Sequence, residues 1–223
     1  MTRRMIAPLL FGLIGAAILI GLGVWQLQRL AWKQGMLAEI DARISAPPVA
    51  LPVAPDPLAD RFLPVIAAGG FTGEDLEVLA SRKQTGPGYR VIAVLQTGDG
   101  RRVLVDRGFV AEADHRGPRV VRDVQIHGNL HWPAEVDSFT PPPDIDRNLW
   151  FARDVTAMAA ALHTEAILIV ARVPTGDAIE PMPVDSGAIP NDHLNYAITW
   201  FLLALAWLGM TVLLLWRMRR QGH

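Results

Sequence analysis

The sequence contains no cysteine among its 223 residues. This absence excludes disulfides, thiolate metal sites, cysteine nucleophiles and covalent c-type haem attachment. Serine is scarce, and neither a G-x-S-x-G elbow nor an H-E-x-x-H motif is present. The four serines are Ser45, Ser81, Ser138 and Ser186. Hydrolase chemistry therefore has little support, and we expect a protein that is not an enzyme.

Positive charge is also scarce in the middle of the chain, which holds 16 basic and 22 acidic residues. Binding to nucleic acid is not expected, because no basic face is available to displace counterions from phosphates. The other five basic residues lie at the two ends: Arg3, Arg4, Arg217, Arg219 and Arg220.

Charge is missing altogether from two long runs, residues 5–28 and 194–216, which contain 24 and 23 residues. Each run is long enough to cross the roughly 30 Å hydrocarbon layer of a bilayer as a helix. A cleavable signal peptide would have a shorter apolar core and a small-residue cleavage site, so an uncleaved anchor is favoured for the first run. The basic ends predict that both termini face the cytoplasm and that the acidic middle lies outside it.

The helical pattern of the first run continues past Arg29, until five prolines between Pro47 and Pro57 end it. We therefore expect three parts: residues 1–45 as a transmembrane helix with a periplasmic extension, residues 46–190 as a mainly β periplasmic domain, and residues 191–223 as a second transmembrane helix with a basic cytoplasmic tail. The lipid bilayer is an expected partner.

The middle of the chain consists mostly of short β-branched runs bounded by glycine or proline, which is typical of strands. These runs are residues 61–71, 75–82, 89–97, 101–110, 122–132 and 166–173. Residues 97–100, Thr-Gly-Asp-Gly, predict a tight hairpin turn, and residues 153–163 predict one helix. The expected fold class is a membrane α+β protein, with two transmembrane helices flanking a mainly antiparallel small barrel or sandwich that carries one or two helices.

Three histidines, one pair and one single residue, are candidates for ligand binding. His127 and His131 lie two strand repeats apart, so they could share a metal, although no further ligand is near them in the sequence. His193 begins a helical stripe with Ala197, Trp200, Ala204 and Trp207, and Tyr196 lies beside it. Small and aromatic residues on one stripe favour close approach by a flat group or by another helix.

The first run offers a matching surface of small residues for helix packing. Its members are Gly12, Gly15, Ala16, Ala17, Gly21 and Gly23. A plainer interpretation of His193 and of the aromatic residues in both helical segments stays open here. Trp25, Trp32, Tyr196 and Trp200 can form an interfacial aromatic belt, while Asn191 or Asp192 caps the helix and His193 contacts lipid headgroups.

Four blocks of the sequence resemble the Surfeit-locus (Surf/Shy) family of cytochrome c oxidase assembly factors. In chain order they are residues 23–37 (GVWQLQRLAWKQGML), 86–110 (GPGYRVIAVLQTGDGRRVLVDRGFV), 148–154 (NLWFARD) and 190–205 (PNDHLNYAITWFLLAL). The resemblance implies a bacterial or mitochondrial inner-membrane protein that binds haem a and assists its insertion into the catalytic subunit of the oxidase. It also makes haem a synthase a candidate partner.

The same resemblance implies that His193 is the axial ligand of the haem iron. Trp200, Tyr196, Arg29 and Trp25 are the other expected cofactor-binding residues, and Arg29 with Lys33 is suited to meet the haem propionates. The alternative function is a scaffold that stabilises the nascent oxidase subunit without binding haem.

Overall fold

The computed structural model describes residues 5–83, 85–115, 117, 119, 121, 123–187 and 189–221. Arg3, Arg4 and His223 lie outside the described residues. The chain forms two compact units. The helix pair comprises the residues up to Glu39 together with those from Ser186 onward, and the β domain comprises Ile40–Asp185.

The described residues form three helices: α1 (Ile6–Ile44), α2 (Val155–Leu162) and α3 (His193–Gln221). The predicted continuation of the first run as one helix is confirmed, since α1 ends shortly before Pro47 and Pro48. Helices α1 and α3 both have the length and apolar composition of membrane spans. This arrangement is that of a two-pass membrane protein.

In the part of the β domain that the structure describes there are seven strands: β1 (Val49–Ala50), β2 (Pro64–Arg82), β3 (Gly86–Thr97), β4 (Arg102–Ala111), β5 (Asp123–Leu130), β6 (Leu149–Trp150) and β7 (Leu168–Ala171). Pairing runs from β2 through β3, β4, β7 and β5 and returns to β2, so these five strands close into a barrel. The contacts of β2–β3, β3–β4, β5–β7 and β2–β5 are antiparallel, whereas β4–β7 is parallel. The predicted mainly antiparallel domain with flanking apolar helices is confirmed.

Strand β2 joins two runs that the sequence predicts as separate strands. Its first part pairs with β5 and its second part with β3, with a break in register between Phe71 and Asp75. A bulge of this kind bends a strand and increases its twist, which lets one strand serve two sides of a small barrel. Gly73, at a φ of 88°, lies within this break, where a residue with a side chain would be strained.

Apolar side chains alternate between two cores, one inside the barrel and one outside it. In β4, Val103 and Val105 belong to the first cluster, while Leu104 belongs to the second. The second cluster also contains Met158 and Leu162 of α2, so this helix covers the outside of the barrel. Asp154 caps α2 by accepting a hydrogen bond from the N–H of Ala157 at 3.0 Å.

A network of buried charges crosses the β domain. The fully buried carboxylate of Asp106 accepts from Arg90 and Arg153, at 2.7 and 3.0 Å. Arg153 also binds Glu135. Burial opposes the charge on Arg153, but the hydrogen bonds and charges of Glu135 and Asp106 outweigh that effect and raise its pKa. Asp106 thus connects strands β3 and β4 to the residue that precedes the cap of α2.

The last residue of α1 is anchored within the β domain. The carbonyl oxygen of Ile44 accepts from Asn129 Nδ2 at 3.1 Å and from Arg172 at 3.4 Å. These side chains satisfy a helix-terminal carbonyl that has no partner within the helix.

The predicted turn at residues 97–100 is confirmed. The N–H of Gly100 donates to the carbonyl oxygen of Thr97 at 2.9 Å, and Gly100 adopts a φ of 85°. A Cβ on neighbouring Gly98 would meet no heavy atom within 4 Å. The turn therefore presents Gly98 in open space.

Candidate functional site in the helix pair

Close packing brings α1 and α3 together in an antiparallel arrangement. A Cβ on Gly23 would come within 2.7 Å of the Phe201 ring, and a Cβ on Gly15 within 2.5 Å of the Trp207 indole. The Trp207 Nε1–H donates to the carbonyl oxygen of Gly12 at 3.0 Å. Glycine at these positions is what allows the two backbones to approach each other.

The small-residue surface predicted for α1 is only partly used. Ala16 is buried, and Gly12, Gly15 and Gly23 face side chains of α3. Gly21 has open space beside it, and Ala17 is exposed. The packing face is therefore narrower than the composition of the run indicates, because only about one side of a helix can face a single neighbour.

His193 is the first residue of α3, and its ring is held by a side chain from α1. The Nδ1 atom lies 2.8 Å from Oε1 of Gln26. An amide oxygen only accepts hydrogen bonds, so the tautomer compatible with this contact is the one that carries its proton on Nδ1. Within the residues that the structure describes, no hydrogen bond is formed to Nε2.

Aromatic side chains are available near this histidine. Trp25 precedes Gln26 and is 51% exposed, while Tyr196 lies one turn after His193 and is 57% exposed. Trp200 is half-buried one turn after Ala197, whose side chain is buried. Large exposed rings beside an imidazole suit a flat apolar ligand, since they offer both area and stacking faces.

The two cations predicted to meet propionates follow on the next turns of α1. The guanidinium of Arg29 lies over the ring of Trp32, 4.7 Å from its centroid. Arg29 is exposed and Lys33 half-buried. Together, the chain places one imidazole, two exposed rings and two cations on neighbouring turns of α1 and α3.

The metal site considered for His127 and His131 gains no support. His127 lies 3.2 Å from Oε1 of Gln125, whereas His131 is buried and stacks on Phe62 with a centroid distance of 5.3 Å. Among residues that the structure describes, no group of three or more potential metal-ligating side chains occurs. Burial, together with the charges of Arg153 and Arg61, lowers the pKa of His131 to about 4.

Gln26 is the residue at this site that the sequence analysis missed. It is 9% exposed and lies 167 positions before its partner His193. Gln26 and Gln28 are the amide side chains in an otherwise apolar run of α1. A polar amide within a membrane span needs a hydrogen-bond partner, and that requirement is the signal that could have found it.

Comparison with known proteins identifies the group to which these features belong. The model of the SURF1 family matches residues 13–205 of this sequence. The chain belongs to the SURF1 family. Similar proteins include "Surfeit locus protein 1" of Rattus norvegicus, 30% identical over 85% of this chain and 70% of the relative. The protein of the same name from Homo sapiens is 31% identical over 83% of this chain and 70% of the relative.

Bacteria also contain SURF1 relatives of this chain. A "SURF1-like protein" of Rickettsia felis is 30% identical over 87% of this chain and 90% of the relative. The SURF1 match includes Gln26, in the middle of α1, and His193, at the start of α3. The predicted family is therefore confirmed over most of the chain.

Proposed function

We propose that this protein binds haem a in the membrane through His193 and assists insertion of that haem into the catalytic subunit of cytochrome c oxidase. It acts in this role as a carrier and not as an enzyme, and haem a is its cargo. The observation that carries the proposal is the hydrogen bond from His193 Nδ1 to Gln26, which leaves Nε2 as the available ring nitrogen. Neutral imidazole nitrogen is a common axial ligand of haem iron.

The surroundings of His193 support an apolar macrocycle better than a small polar ligand. Trp25 and Tyr196 offer exposed faces on two helices, and Trp200 lies further along α3. Arg29 and Lys33 supply positive charge for the two propionates. A single protein ligand gives a modest hold on the iron, as delivery to the oxidase requires.

The charge distribution supports an orientation for the chain. With basic residues at both ends and an acidic β domain between the spans, we place both termini in the cytoplasm of a bacterial cell and the β domain in the periplasm. A reporter active only in the periplasm should work when inserted at Asp99 and fail when fused after His223. A fusion that is active after His223 would contradict this orientation.

Substitution of His193 by alanine tests haem binding. The protein purified from cells that make haem a should lose its haem absorbance, because no other imidazole lies at the start of α3. Stability should fall by about 1–3 kcal/mol, because the substitution leaves the buried amide of Gln26 without its partner. The matched control is His127→Ala, which replaces a half-buried histidine of β5, and this variant should retain haem.

The same experiment separates the carrier from a scaffold that binds no haem. Cells with His193→Ala should make the oxidase polypeptides yet contain oxidase deficient in haem a. Unchanged haem content in a stable His193→Ala protein would refute the ligand assignment and favour the scaffold, with haem a synthase and the oxidase subunit remaining candidate partners.

Arg29 allows a finer test of how the propionates are held. Arg29→Ala should weaken haem retention while leaving membrane insertion intact, since charge is inexpensive at the end of a span. Equal haem content in the variant and the parent would remove Arg29 from the site.

A further inference from the structure

We propose that Gln26 is a positioning residue, which fixes the tautomer and the orientation of the His193 ring so that Nε2 faces the ligand. The inference rests on the proposed function in one respect, namely that the ligand of Nε2 is haem iron. Gln26 itself does not contact the iron in this proposal. Its role is exerted through the 2.8 Å hydrogen bond to Nδ1.

A neutral histidine can carry its proton on either ring nitrogen. When the proton is on Nε2, that nitrogen has no lone pair for a metal, and only Nδ1 could act as a ligand. The acceptor oxygen of Gln26 selects the form with the proton on Nδ1. An oxygen that accepts the Nδ1 proton also increases the basicity of the ligating Nε2 and holds the imidazole ring in one plane.

The position of Gln26 in the helix pair suits this role. Its side chain is 9% exposed, so the amide oxygen is largely shielded from competing water. The two helices pack closely on one side of it, where Gly23 faces Phe201 and where Ala197, one turn after His193, is buried. An amide buried without a partner costs free energy, so both side chains gain from the bond.

Gln28 provides a matched control, because it is an exposed glutamine on the same helix. Three variants therefore isolate the acceptor oxygen: Gln26→Met, which keeps the length of the side chain but removes the acceptor, Gln26→Glu, which keeps an acceptor, and Gln28→Met. A merely structural role for Gln26 would predict changes in stability without a change in the state of the His193 ring.

The first measurement is ¹⁵N NMR of the full-length protein in bilayers without haem, with labelled histidine and His193→Ala for assignment. The parent, Gln26→Glu and Gln28→Met should show a protonated Nδ1 and an unprotonated Nε2. Gln26→Met should show a mixture of the two tautomers. An unchanged tautomer in Gln26→Met would overturn the inference. If the methionine variant does not fold, a mixture of tautomers in Gln26→Glu would overturn it.

The second measurement is the dissociation constant for haem a, followed by absorbance. Gln26→Met should bind about 10- to 100-fold more weakly, as is usual when the outer partner of a metal-ligating histidine is removed. Gln26→Glu should restore most of the affinity, and Gln28→Met should match the parent. Equal affinity in Gln26→Met despite a changed tautomer would refute a role in ligand binding.

The two measurements also distinguish this inference from the proposed function. A parent protein that binds no haem a would refute the proposed function and, with it, the role of Gln26 toward haem. The ¹⁵N signature would still decide whether Gln26 orients the ring. Its loss in Gln26→Met would then show an orienting residue at a site whose ligand is not haem a.

Discussion

Buried charged side chains meet charged partners in the β domain, whereas buried polar side chains of the helix pair meet neutral partners. Asp106 lies between Arg90 and Arg153. In α1 and α3, Gln26 meets an imidazole, and Trp207 donates to a backbone carbonyl. Hydroxyl groups of α3 bond within their own helix, as Thr211 does with the carbonyl oxygen of Trp207 at 2.8 Å.

The difference indicates which unit is suited to binding. The charges of the Asp106 network are satisfied among themselves, so that network stabilises the β domain and offers little to a ligand. In the helix pair, the hydrogen bond to Gln26 satisfies one nitrogen of His193 and leaves the other available. Substitutions in the two units should therefore affect different measurements, with stability most sensitive in the first and ligand binding most sensitive in the second.

Asp106→Ala should have the largest effect on stability. It leaves two largely buried guanidinium groups without their shared counter-charge, which typically costs about 3–5 kcal/mol. Chemical unfolding followed by near-UV circular dichroism would measure the loss. The control is Asp144→Ala, whose partner Arg147 is 79% exposed, and it should change stability by no more than about 0.5 kcal/mol. Similar losses in the two variants would contradict a structural role for the buried network.

Acid should destabilise the β domain through His131. Its pKa is about 4 when folded and 6.5 as the ordinary value, so the unfolded chain binds the proton more readily. The stability from the neutral buried ring is present above pH 6.5 and is lost as pH falls toward 4, by up to about 3 kcal/mol.

His131→Phe is the variant that isolates this effect, because phenylalanine can still stack on Phe62 and does not titrate. The difference in unfolding free energy between parent and variant should change over this pH range. A difference that stays constant from pH 7 to pH 4 would exclude His131 as the titrating group.

Two glycines of α1 should respond to alanine with opposite signs. Gly15→Ala would place a methyl group against the Trp207 indole and should destabilise the helix pair by about 1–3 kcal/mol. Gly21 has open space, so Gly21→Ala should stabilise α1 by up to about 1 kcal/mol through helix propensity. Reversible unfolding in mixed micelles would measure both. Equal changes in unfolding free energy for the two variants would show that close helix contact at Gly15 does not determine the stability of the helix pair.

Removal of the helix cap should have the smallest effect. Asp154→Ala removes the acceptor for the Ala157 N–H and should cost about 1 kcal/mol. Asp154→Asn retains an acceptor oxygen and should stay within about 0.5 kcal/mol of the parent. Thermal unfolding of both variants provides the comparison, and a neutral Asp154→Ala would show that water replaces the cap.

The sequence predicted features that depend on neighbouring residues. The end of α1 before Pro47 and the turn at Gly100 follow from local backbone chemistry. The closing of the barrel by β4 and β7 did not follow, because that parallel contact joins Leu104 to Leu168 across much of the chain. Local patterns contain no information on such pairings.

The candidate site was predictable to a similar extent. His193 and its aromatic neighbours could be found from their spacing on one helix. Gln26 could not be assigned a partner, since its contact with His193 depends on how α1 and α3 align when they pack. The same alignment decides that Gly15 faces Trp207 whereas Gly21 faces open space.

The turn at residues 97–100 has a practical consequence for chemical labelling. Because the chain contains no cysteine, Gly98→Cys would create a single thiol, and the open space around Gly98 leaves room for an attached dye or spin label. Gly98 also has no positive φ that a side chain would strain. In whole cells, modification by a maleimide that cannot cross membranes would then report directly on which side of the bilayer the β domain lies.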